Sequence, residues 1–157
     1  MNTIIIDGKE YTLTPVETET PTPKKKWRAK EGGDYYFVNT AWEICYDSDN
    51  HDIFHNWRYL TWNYFKTEEE AKRYKEYLEA VGRVTHRVYE LNEGWEVDWS
   101  DRENKYYVYF HHIDNAFYLS YINFAQYNHV LPYAKAWVYE QIMKEMEADL
   151  KVIFNYK

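Results

Sequence analysis

Hydrophobic and polar positions along this chain follow two different periods, and the places where the period changes mark its elements. Near the start, Thr3-Ile4-Ile5-Ile6 and Lys9-Glu10-Tyr11-Thr12-Leu13 flank Asp7-Gly8, a two-residue turn signal, and predict a β-hairpin. The run TPVETETPTPKKK over 14–26 combines prolines, alternating acids and a lysine triplet with little to bury, which predicts an extended arm. Aromatic and β-branched runs follow, with turn chemistry at Gly32-Gly33-Asp34 and at Asp47-Ser48-Asp49-Asn50; they predict strands over 35–39, 42–46 and 59–65.

The period then becomes helical. Thr67-Glu68-Glu69-Glu70 forms a capping box, with three carboxylates on the positive end of the helix dipole. Ala71, Tyr74, Leu78, Val81, Val84, Val88 and Leu91 recur at spacings of three and four as one apolar stripe. Glu68/Lys72, Glu69/Arg73 and Lys72/Glu76 are placed for four-apart ion pairs on the outer face, and Asn92-Glu93-Gly94 supplies a stop. Strands are predicted again over 105–111, 116–124 and 127–131, with Asp114-Asn115 as a hairpin turn. Pro132 suits the first residue of a last helix, whose period runs through Trp137, Ile142, Met146, Leu150 and Ile153.

The two halves present the same order of elements, with Asp34-Tyr35-Tyr36-Phe37-Val38 answering Lys105-Tyr106-Tyr107-Val108-Tyr109 and helix starts at 67 and 132. The expected fold class is α+β: duplicated strand-strand-strand-helix units with antiparallel sheets, preceded by the hairpin and arm. The units divide the chain into 1–26, 27–93 and 94–157.

Composition changes this picture in two respects. Aromatic residues make up 20% of the 157, including 18 Tyr and 7 Trp, so rings must fill much of a core that Val and Ile would otherwise supply. The formal charge of -7 disfavours a protein whose affinity comes from neutralising phosphates and favours solubility or a basic protein partner. Cys45 is the only cysteine, so an internal disulfide is excluded and a reducing compartment fits best. The apolar run Ile4-Ile5-Ile6 is too short for a signal-peptide core, and no stretch approaches the ~18 apolar residues of a membrane span.

The segments IDGKEYTL, KWRAKEGGDYYFV, YFKTEEEAKRY and EGWEVDWSDRENKYYVYF together resemble a family of short proteins of tailed bacteriophages and prophages of Gram-positive bacteria. The last helix departs from the pattern, because Val130-Leu131-Pro132-Tyr133 stands where a second FKTEEEA-like cap is expected. The resemblance implies a phage accessory protein acting in the host cytoplasm, of the kind that includes inhibitors of host defence and anti-CRISPR proteins; this step is by analogy.

Chemistry-bearing constellations are sparse. His111-His112 lie in a strand, where neighbouring side chains face opposite ways, so they do not chelate one ion. DSDNHDIFHNWR lacks the sixth-position glycine of a calcium loop and has Arg58 where that loop needs its bidentate Glu. Cys45 sits in an apolar run, and phosphate loops, zinc-protease signatures and nucleophile elbows are missing. The expectation is a binding protein with no catalytic residues, cofactor or metal.

Its partner is expected to be a basic host protein, such as a CRISPR effector or another defence nuclease. Asp47, Asp49, Asp52, Glu68, Glu69 and Glu70 would offer carboxylates to a Lys/Arg-rich groove, with Trp57 and Trp62 as exposed anchors. Tyr35, Phe37 and Tyr59 are assigned chiefly to the core. Two further readings stand beside this one: a single-stranded nucleic-acid binder using the sheet aromatics and the Lys24-Lys25-Lys26 arm, and a virion assembly protein that forms homo-oligomers.

Overall fold

The computed structural model describes residues 3–12, 26–126 and 129–155. Its elements, in chain order, are β1 (Thr3–Ile6), β2 (Lys9–Thr12), β3 (Gly33–Val38), β4 (Ile44–Asp49), α1 (Ile53–Leu60), α2 (Glu68–Asn92), β5 (Lys105–His111), β6 (Ala116–Ile122), α3 (Ala136–Glu145) and α4 (Glu147–Asn155). The fold is α+β with an N-terminal hairpin. Asp7 and Gly8 both adopt positive φ, 51° and 75°, which is the geometry a two-residue hairpin turn requires. Most of the arm, including Lys24 and Lys25, lies outside the described residues.

Each half is built on an antiparallel pair. β3 pairs with β4 in a register that sets Tyr36 opposite Tyr46, and β5 pairs with β6 with Val108 opposite Leu119. On the other edge of each leading strand a single residue forms an isolated bridge. Tyr36 and Phe65 exchange N–H···O bonds of 2.9 and 2.8 Å, and Tyr106 and Ala134 exchange bonds of 2.9 and 3.1 Å. A helix starts shortly after each bridge, so the predicted repeat is visible in the topology.

The predicted third strand of the first half contracts to its bridge at Phe65, whereas in the second half the bridge falls at Ala134, beyond the predicted 127–131. Residues 59–65 do not form a strand, because α1 occupies Ile53–Leu60 and only Phe65 reaches the sheet. The cause is local: the Asp52 side chain accepts hydrogen bonds from the amides of Phe54 and His55 and starts a helix that the strand propensity of Trp57 and Tyr59 does not prevent. In the second half, Tyr127 lies outside the described residues, and 129–131 are irregular. β4 also runs further than predicted, through Asp47, Ser48 and Asp49, which the sequence reading gave to a turn.

α2 begins at the predicted cap, where the Thr67 side chain accepts from the Glu70 amide at 3.2 Å, and ends on Glu93 and Gly94 at φ 50° and 79°. Its predicted outer pairs do not form. Among the described residues the four-apart ion pairs on this helix are Lys75–Glu79 and His86–Glu90. The final helix starts at Ala136 rather than Pro132 and is interrupted at Met146. Pro132 instead presents its carbonyl to the Tyr139 hydroxyl.

Two cores result. The larger joins Ala80, Val84 and Val88 of α2 to Val108 of β5, to Leu131 and Ala134 before α3, to Val138, Tyr139 and Ile142 of α3, and to Leu150 and Ile153 of α4. The predicted boundary at 93 therefore falls across this core, because most of the α2 stripe packs on the second half. Arg83–Asp149 and Arg87–Glu145, at 2.6 and 3.2 Å, tie α2 to α4 and α3 on the outside. The smaller core lies in the first half and consists of Ala29, Tyr35 and Tyr64 with Phe37 and Tyr59 against it. Tyr35 and Tyr64 stack face to face with ring centroids 3.8 Å apart. Among the described residues no helix is long and apolar enough to cross a membrane.

Candidate partner-binding site

The small core of the first half is completed by polar groups rather than by further apolar side chains. Asp49, at the end of β4, has no solvent exposure. Its carboxylate accepts from Arg28 Nε at 2.8 Å and Arg28 Nη2 at 3.2 Å, from the Tyr64 hydroxyl at 2.8 Å and from the His51 amide at 2.8 Å. Burial pushes this carboxyl up, but the Arg28 guanidinium and the other donors outweigh it and hold it well below the usual carboxylate range. Tyr64 is the counterpart: burial and the adjacent Asp49 carboxylate push its hydroxyl up, so it stays a donor.

α1 is attached to the sheet through the same kind of chemistry. Arg58 donates through Nη1 to the Tyr35 hydroxyl at 2.6 Å and to Asp47 Oδ2 at 2.9 Å, and its guanidinium lies 3.6 Å from the centre of the Phe37 ring. The bond from Arg58 holds the Asp47 carboxyl low. His55 is buried, with Nδ1 2.6 Å from Asn50 Oδ1 and 3.0 Å from Asp52 Oδ1, and Nε2 3.3 Å from Asp47 Oδ2.

This arrangement reverses the usual amphipathicity of a surface helix. The side of α1 that faces the protein carries His55, Arg58 and a single core-packing ring, Tyr59. Ile53, Phe54, Trp57 and Leu60 point outward and are 72, 70, 70 and 71% exposed. They sit at i, i+1, i+4 and i+7 and so form one continuous apolar face on a two-turn helix.

The acidic residues expected to meet a partner separate into two groups. Asp49 is withdrawn from the surface entirely, and Asp47 is held by Arg58 and His55; an Asp within a polar run is read as exposed unless its distant cation is known. Asp52 and Glu70 are used as helix caps, with Glu70 Oε2 accepting from the Lys66 amide at 2.9 Å. Glu68 and Glu69 are exposed and have no ion-pair partner among the described residues. The rings divide as expected. Tyr35 is fully buried, Phe37 and Tyr59 pack on the core, and Trp57 and Trp62 are exposed. Trp57 and Trp62 do not share one face, however. Trp62 lies beyond the end of α1 in the left-handed region, at φ 64°, and Lys26 Nζ sits 4.4 Å from its ring centre.

Sequence reasoning missed Ile53, Phe54 and Leu60. Their helical spacing behind Asp52 was the available signal. Among the described residues no group of three or more His, Cys, Asp or Glu is placed to hold a metal ion. Cys45 is half-buried, with its sulfur 3.3 Å from Asn39 Nδ2. No protein family, no curated protein and no solved structure matches this chain.

Proposed function

We propose that this protein acts by binding another protein through the outward face of α1. The observation that carries the reading is the exposure of Ile53, Phe54, Trp57 and Leu60 on a helix whose polar side is spent on the sheet. Leaving four large apolar side chains in water while burying Asp49 and His55 forgoes stability that a self-sufficient fold would take. A contiguous apolar face of this kind, centred on a tryptophan, has the composition of an interface anchor. Glu68 and Glu69, on the first turn of α2, supply carboxylates suited to a basic partner, and Asp52 adds a third at the start of α1.

The resemblance to short tailed-phage proteins extends this reading to a host defence protein whose nucleic-acid-binding groove is occluded. In this form the apolar anchor leads and charge assists, since Asp47 and Asp49 are engaged internally.

The test is affinity capture from nuclease-treated lysate of a Gram-positive host, comparing the native chain with an Ile53→Ser/Trp57→Ser variant. Recovery of a nucleic-acid-handling defence protein by the native chain, with at least tenfold less by the variant, supports the reading. Equal recovery by both forms, or association of the chain only with itself, overturns it.

A further inference from the structure

A second feature of the first half lies beside Trp62 and is not explained by protein docking. A cleft of about 520 Å³ is lined by Lys26, Trp62, Lys66, Glu70 and Arg73, with further rings between them. That volume lies within the range of sites for small organic ligands. The floor and walls are aromatic. Phe65 and Tyr74 are in ring contact at 5.1 Å, as are Trp27 and Tyr64 at 5.8 Å.

Its charge is opposite to that of the protein. The chain carries a net charge of -7, yet three cations line the cleft against one carboxylate. That carboxylate, Glu70, already accepts from the Lys66 amide. Arg28, Arg58, Arg83 and Arg87 are each paired with a carboxylate. Among the described residues Lys26, Lys66 and Arg73 have no carboxylate partner. Arg73 was expected to pair with Glu69 four residues before it and faces the cleft instead. Among the described residues Lys26 gives one hydrogen bond, to the Tyr59 carbonyl at 2.9 Å, of the three its ammonium can donate. Burial lowers its ammonium to about 8, a cost that a bound anion would offset.

We propose that this cleft is a binding site for a nucleoside phosphate, with the base against Trp62 and the neighbouring rings and the phosphate held by Lys26, Lys66 and Arg73. Cations alone would serve an inorganic anion, and rings alone would serve a neutral aromatic; the two together fit a ligand that carries a planar base and a phosphate. A free mononucleotide and one residue of a single strand share this chemistry. The site is independent of the α1 face, so either can fail without the other.

The experiment is titration of the full chain, followed by tryptophan fluorescence and calorimetry, with AMP, adenosine, inorganic phosphate and a twelve-residue oligothymidylate. AMP is expected to saturate the site at least tenfold more tightly than adenosine or phosphate. The Lys66→Ala/Arg73→Ala variant, with an unchanged melting temperature, is expected to lose at least tenfold in AMP affinity, and Trp62→Ala to lose the fluorescence response. Oligothymidylate binding much more tightly than AMP, with a steep salt dependence, identifies a strand as the source; similar affinities identify the free nucleotide. No saturation by either nucleotide probe at millimolar concentration, phosphate binding as tightly as AMP, or full affinity in the double variant overturns the proposal.

Discussion

Replacing Asp49 by Asn tests whether the polar cluster, rather than the aromatic stack, holds the first half together. The carboxylate accepts four hydrogen bonds, two of them from Arg28. Asparagine keeps one acceptor oxygen and turns an N–H2 group toward donors. Charge-assisted bonds contribute about 1.5–3 kcal/mol each, and breaking a buried pair on one side costs about 3–5 kcal/mol. Arg28 keeps partial access to water, its side chain being 26% exposed, so it recovers some hydration and the loss falls near the lower bound, about 3 kcal/mol. That is a large part of the ~5–15 kcal/mol by which domains are stable. The measurement is urea unfolding followed by tryptophan fluorescence, with native chain and variant compared from pH 7 down to pH 2. The unfolded carboxyl titrates near its ordinary value and the folded one lower. Its stabilisation is therefore complete above about pH 4 and lost as pH falls through the folded value. The gap between the two proteins should be constant from pH 7 to 5 and close in acid. A difference under about 1 kcal/mol at pH 7, or one that persists unchanged to pH 2, refutes the reasoning.

Trp62→Gly should leave stability unchanged or raise it by up to about 1 kcal/mol, because left-handed strain of about 1–2 kcal/mol is relieved against a smaller entropy loss; denaturant midpoints check this, and a marked loss would show that the ring is structural. Ile53→Ser/Trp57→Ser should move unfolding free energy by no more than about 0.5 kcal/mol per site, and a collapse in melting temperature would mean that the face is already covered. AMP affinity should fall between pH 7 and pH 9, because Lys26 loses its proton near 8 while the phosphate remains a dianion; calorimetry at three pH values reads this, and a flat profile removes Lys26 from the site.

What the sequence showed depended on how far apart the interacting residues are. Asp7-Gly8, the Thr67 cap and the stripe through Val84 and Val88 are local signals, and the structure places a hairpin and a long helix on them. β5 matches its predicted bounds because its pattern and the Asp114-Asn115 turn are also local. α1 was misread because aromatic residues favour strands in general, while the Asp52 cap and the contacts of His55 and Arg58 favour a helix here. Asp49 was assigned to an acidic surface because Arg28, 21 residues earlier, is not visible as its partner. The cleft was illegible for the same reason: Lys26, Lys66 and Arg73 converge only after folding.

The unequal size of the two cores has a consequence for how the chain breathes. Among the described residues the core cluster of the first half has three buried side chains beside its polar groups, whereas the cluster that closes the second half has eleven. Amide hydrogen exchange should report two classes of opening, with β3, β4 and α1 exchanging through a partial unfolding that leaves α3 and α4 protected. The helix that offers its apolar face outward belongs to the half that opens first. A partner seated on α1 would thus close that opening by mass action and slow exchange there alone, and occupancy of the face would be recorded in the protection pattern of the strands behind it.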